Sequence, residues 1–173
     1  MNTKKIKFTI LDIIFLGIYL DQMKFEDIIK HEFDDERKKA VAHLMFTTKV
    51  LMSKIGEALA PLDLTFQQFN ILSIVEGQKG GDACVNTIKE RMFDRNSNVS
   101  RLLNKMVNKD WLVKKRCTED QRIVYLHITE SGKNVRKEGR KVMDDLMNTF
   151  FVLNESESKK LDKSLDKFDS LYF

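Results

Sequence analysis

The chain has 173 residues, 42% of them hydrophobic, with 30 basic and 26 acidic side chains, seven Gly and one Pro. That apolar content is enough for a packed core and excludes wholesale disorder, and so few turn residues argue against sandwiches and barrels and for a mainly helical chain. Two cysteines, Cys84 and Cys117, cannot staple a domain of this size, and a net charge of +4 is too small to name a partner by itself.

Ile6 to Leu20 form an apolar run behind Lys4 and Lys5. The run falls short of the roughly 20 apolar residues that a membrane helix needs, and it contains Asp12. No small-x-small cleavage pattern follows it. Residues 1–22 are therefore read as an N-terminal extension, and no stable membrane association is expected. Phe25, Ile28, Ile29 and Phe33 make a short stripe that predicts a leading helix. Asp34 then reads as a helix cap. Val41, Leu44, Met45, Thr48, Leu51, Met52, Ile55 and Leu59 recur at helical spacing until Pro61 stops the pattern.

Thr65 and Gln68 are spaced as a capping box for a helix that buries Phe66, Phe69, Leu72 and Val75. Gly77, Gly80 and Gly81 predict a loop, and Asn86 to Met92 a short helix. After a break at 94–97, a helix to about Lys109 buries Val99, Leu102, Leu103, Met106 and Val107. Its other face carries Ser97, Ser100, Arg101, Asn104, Lys105 and Asn108. All of these can donate a hydrogen bond and none is acidic. The period then falls to two over residues 112–117 and 123–128, around a charged five-residue tip, which predicts a β-hairpin. His127 falls on its solvent-facing alternation. Thr129 caps a long helix, and Asn154 with Glu157 starts the last one.

Helices followed by a two-stranded hairpin is the order of a winged helix-turn-helix, so the expected fold is mainly α with a two-stranded β wing. From Arg91 to Arg122, nine basic residues against four acidic leave +5, more than the whole chain carries. A donor-rich helix face can enter a major groove while flanking Lys and Arg meet phosphates. Double-stranded DNA is the expected partner. A winged-helix adaptor that binds protein and reads no DNA is the alternative. No nucleophile–base pair, phosphate loop or metal-ligand spacing can be assembled, so no enzyme activity, cofactor or metal is expected. His31 and His43 would stand roughly 18 Å apart on one helix, too far for a shared ion.

Several of these residues together resemble the MarR family of transcriptional regulators. They are Leu64-Thr-Phe-Gln-Gln-Phe69 in the second helix and Ser97-Asn-Val-Ser-Arg101 in the recognition helix. Asp120-Gln-Arg122 matches the D-x-R signature of the wing, and Ile128-Thr-Glu-Ser-Gly132 matches its exit. The similarity extends over about residues 24–173. It implies a homodimeric, cytoplasmic regulator, often a repressor released by a small molecule or an oxidant. Residues 61–129 would be the DNA-binding lobe, and 23–60 with 130–173 the helical dimerisation region. Ser97, Asn98, Ser100, Arg101, Asn104 and Lys105 would face DNA from the helix. Lys115, Arg116 and Arg122 would do so from the wing, with Asp120 orienting an arginine there. A small-molecule effector would meet Phe46, Val50 and Phe69. The sensing cysteines of some relatives lie in the first helix, which has none here, so Cys84 and Cys117 read as structural thiols. Asp110 stands where the family usually has Gly between recognition helix and wing; Asp tolerates the positive φ that this turn needs.

Overall fold

The computed structural model describes residues 24–94, 98–116, 123–150 and 152–170. The extension at 1–22, together with Ser97, Cys117, Asp120 and Arg122, lies outside them. Among the described residues no helix is long and apolar enough to cross a membrane. The chain divides into two compact units, one up to Leu51 and one from Met52.

In the first unit, helix α1 (Phe25–Ile29) ends at Lys30, which takes a left-handed conformation with φ 54°. Helix α2 (Glu36–Leu59) starts in this unit. Its cap is Asp35, one residue beyond the expected Asp34: the Asp35 carboxylate accepts from the Arg37 amide at 2.8 Å. Asp34 instead pairs with Lys38 one turn on, at 2.9 Å. Phe25 is buried face-on against His43 with ring centroids 4.3 Å apart, and Phe33 and Phe46 complete the aromatic cluster. A Glu26–Lys39 ion pair ties α1 to α2. The lysine holds the Glu26 carboxyl below its usual range.

The second unit opens with the end of α2. Ala60–Leu62 form a single 3₁₀ turn around Pro61, and Asp63 follows with φ 49°. Helix α3 (Phe66–Glu76) starts at the predicted capping box, with the Gln68 amide donating to Thr65 Oγ1 and the Thr65 amide to Gln68 Oε1. Gln68 is thereby buried and still hydrogen-bonded.

The loop expected after Gly77 contains a short strand, β1 (Asp82–Cys84). It leads into helices α4 (Val85–Arg91) and α5 (Val99–Asn108). Strands β2 (Leu112–Arg116) and β3 (Val124–Ile128) form the wing. The sheet is antiparallel in the order β1-β3-β2, so the predicted hairpin gains a third strand. Alternation sorts its side chains. Ala83, Leu112, Leu126 and Ile128 are buried on one face. Asp82, Tyr125 and His127 take the other, where His127 Nδ1 lies 2.7 Å from Asp82 Oδ1. Two further helices, α6 (Glu130–Thr149) and α7 (Glu155–Asp169), are capped by Thr129 and by Asn154 with Glu157 as expected.

The core of this unit is Leu59, Leu64, Ile71, Leu72, Val75, Ile88, Leu103, Met106, Leu112, Leu126 and Ile128. Helix α6 packs on it at two glycines. A Cβ at Gly139 would come within 2.8 Å of Leu64 and 3.0 Å of Phe69. A Cβ at Gly132 would come within 2.2 Å of the Trp111 carbonyl oxygen, a backbone atom that cannot step aside. Gly132→Ala is therefore expected to destabilise the second unit by about 1–3 kcal/mol, the ordinary cost of overpacking. Equilibrium denaturation in urea measures this. An unchanged midpoint would mean that the junction between α6 and Trp111 is loose.

Candidate nucleic-acid interface

Helix α5 is built from its cap upward. Asn98 precedes the first turn, and its side-chain oxygen accepts from the Arg101 amide at 3.1 Å. Val99, Leu103 and Met106 face the core. The same periodicity turns Ser100, Arg101, Asn104, Lys105 and Asn108 to solvent. These five are the described members of the stripe expected from the sequence. Thr65 and Gln67, at the start of α3, complete a groove of about 330 Å³ with Asn98, Arg101, Leu102 and Lys105. Among the described residues no acidic side chain lines it. The periodicity of α5 alone could not bring Thr65 and Gln67 to this groove, because they come from a different helix.

The far end of α5 is held by charge. Lys109 Nζ donates to the Asp63 carbonyl at 2.6 Å and pairs with its carboxylate at 2.7 Å. The same ammonium lies 4.3 Å from the centre of the Trp111 ring, within cation–π range. Asp110 then turns the chain with φ 56°, the left-handed conformation expected of this turn. The Thr129 hydroxyl donates to the Asp110 carbonyl at 2.5 Å, and the Thr129 amide to the Trp111 carbonyl at 3.1 Å. The turn is thus fastened to the exit of the wing.

On the wing, Lys115 and Arg116 are both exposed, but on opposite faces of β2. Lys115 pairs with Tyr125 and Arg116 with Val124. Lys114, absent from the set of residues expected to face DNA, pairs with the buried Leu126 and so shares the face turned toward the helices. Its Nζ donates to Asn104 Oδ1 on α5 at 2.7 Å. A lysine run in the sequence signals positive charge; the strand register selects which lysine meets α5.

Of the residues expected to meet an effector, Phe46 and Val50 belong to the first unit and Phe69 to the second. Phe46 and Val50 line a groove of about 630 Å³ in the first unit, with Phe25, Ile28, His43 and Thr47. Phe69 is buried in the core of the second unit, against Gly139. Cys84 ends β1 and caps α4, its sulfur 3.1 Å from the Thr87 hydroxyl and 3.4 Å from the Thr87 amide. Those two hydrogen bonds, the hydroxyl's foremost, lower the pKa of the thiol.

Residues 53–139 match the family model of the SarA/Rot transcriptional regulators. The chain is 25% identical over 127 residues to the HTH-type transcriptional regulator SarZ of Staphylococcus aureus, a match that spans 73% of this chain and 84% of SarZ. In structure it resembles AbsC, a MarR family transcriptional regulator from Streptomyces coelicolor, with a TM-score of 0.73 and 18% identity over 81% of this chain and 96% of AbsC. It also resembles Sco3205 from the same organism, a MarR family regulator seen in complex with DNA, with a TM-score of 0.71 and 14% identity over 80% of this chain and 89% of Sco3205. These likenesses establish the winged-helix fold.

The Asn98 cap can be separated from any contact with a ligand. Asn98→Ala should cost about 0.5–2 kcal/mol of stability, and Asn98→Asp, which keeps the capping oxygen, much less. Chemical denaturation of the two variants tests this. Equal loss in both would mean that the cap contributes nothing to α5.

Proposed function

Because the chain belongs to the family of SarA/Rot transcriptional regulators, we propose that it binds operator DNA as a homodimer, with α5 in the major groove. The observation that carries the reading is the exposed, acid-free face of α5, where Arg101 and Lys105 share a groove with Thr65, Gln67 and Asn98. Side chains of this kind meet acceptors on base edges and phosphate oxygens. Ser100 and Arg101, near the start of the helix, would reach bases. Lys105 would reach a phosphate. Arg122 of the D-x-R signature would enter the flanking minor groove, with Asp120 holding an arginine in place.

Exposed apolar side chains support the dimer. In the first unit Val41 and Met45 lie exposed on α2, Met45 at 68%. In the second, Val152, Leu153, Leu161 and Phe168 are exposed around and along α7, Val152 at 81%. Apolar surface of this extent is usually covered by a partner. Two copies related by a twofold axis would present two recognition helices, and so favour a pseudo-palindrome with half-sites about one helical turn apart. Such a dimer would repress where its operator overlaps a promoter, since a bound dimer excludes other proteins from the duplex. A small-molecule effector would sit in the groove of Phe46 and Val50 and act by binding the DNA-competent and incompetent dimers unequally.

Selection of bound duplexes from a random library tests the reading, with a pseudo-palindromic consensus expected. Arg101→Ala should then cost about 1–3 kcal/mol and relax one base pair per half-site. Lys105→Ala should weaken binding to all sequences and flatten its salt dependence. Failure to enrich any duplex, with no salt-dependent affinity, would instead favour a protein–protein adaptor.

A further inference from the structure

Asn104 lies at the centre of the exposed face of α5, one turn beyond Ser100 and Arg101. An asparagine in that place ordinarily recognises adenine, its oxygen accepting from N6 while its amide nitrogen donates to N7. Here the oxygen is engaged. Lys114 Nζ lies 2.7 Å from Asn104 Oδ1. An ammonium carries three donors and no acceptor, so the carboxamide must turn its oxygen to Lys114 and its NH2 group away from it. The sheet delivers the lysine to this place. Lys114 opposes Leu126, which is fully buried, so both side chains leave the sheet on the side of the helices. Beyond Leu112, β2 extends out of the core, and a long side chain from that face reaches the helix.

We propose that Lys114 and Asn104 form a donor-only couple that selects guanine at one base pair of each half-site. The inference rests on the DNA reading above. Asn104 is the residue that touches the base, and Lys114 is the positioning residue that sets which way its amide faces. Guanine presents two acceptors in the major groove, O6 and N7. The amide NH2 of Asn104 and the adjacent ammonium of Lys114 complement both. Adenine and cytosine each place an amino group there, which meets a positive charge and an amide oxygen already turned to Lys114, and thymine offers a single acceptor, O4, beside its methyl group. The contact thereby reverses the base preference that Asn104 would have alone.

The test is selection from a random duplex library with the wild type, Asn104→Ala, Lys114→Met and Lys114→Arg, each melted first to verify folding. The wild type should favour guanine at one base pair per half-site, and Asn104→Ala should relax that pair. Lys114→Met frees the amide oxygen, so adenine should gain on guanine at the same pair by at least about five-fold, the lower end of what one good base contact supplies. Lys114→Arg keeps a donor and should keep guanine. The proposal is overturned if the wild type favours adenine at the pair that Asn104→Ala relaxes. It is equally overturned if Lys114→Met weakens every sequence alike with base preferences intact, as loss of a phosphate contact would. Absence of any wild-type consensus would overturn the DNA reading itself, an outcome distinct from both.

Discussion

The second unit depends on one crowded junction, where the first turn of α6 passes over the turn that leaves the recognition helix. Gly132 allows the approach, because any side chain there would strike the Trp111 carbonyl. That carbonyl accepts from the Thr129 amide, while the Thr129 hydroxyl caps α6 and also donates to the Asp110 carbonyl. A few residues thus join the end of α5, the start of β2, the end of β3 and the start of α6. Backbone atoms make most of the contacts, so the junction has little freedom to relax.

The placement of the polar surface follows from this junction. With Asp110 and Trp111 held, β2 leaves the core in a fixed direction and carries Lys114 to Asn104. Lys109 secures α5 from the other side through Asp63, which the 3₁₀ turn after α2 presents in a left-handed conformation. The recognition helix is therefore anchored at its C-terminal end, through Lys109, and capped at its N-terminal end by Asn98. Its exposed donors are held on a rigid element rather than a loop, which suits the reading of base edges.

How much was legible in the sequence depends on the range of each interaction. The capping boxes at Thr65 and Asn154, the Thr129 cap and the helical stripes involve residues three or four apart. Their spacing in the chain is their geometry in space. The positive φ at Asp110 was legible for a similar reason, since it is a local property of the turn. Even at short range, adjacent acids competed, and Asp35 rather than Asp34 caps α2 because its oxygen reaches the Arg37 amide. Strand β1 was hidden because three residues, Asp82 to Cys84, cannot display a period.

The sequence by itself determined that the chain is mainly helical, where most helices begin, and that positive charge gathers on one helix and its wing. Those properties are carried by hydrophobic period, caps and composition, which depend on neighbours in the chain. The tertiary structure decided which of the clustered lysines meets the recognition helix, that Asp82 receives His127 and that Asp63 receives Lys109. It also decided that Phe69 belongs to a core whereas Phe46 and Val50 line a groove. The His127 and Lys109 contacts join residues 45 and 46 positions apart. Such partners are chosen by strand register and by close packing at Gly132 and Gly139, and no local pattern encodes either.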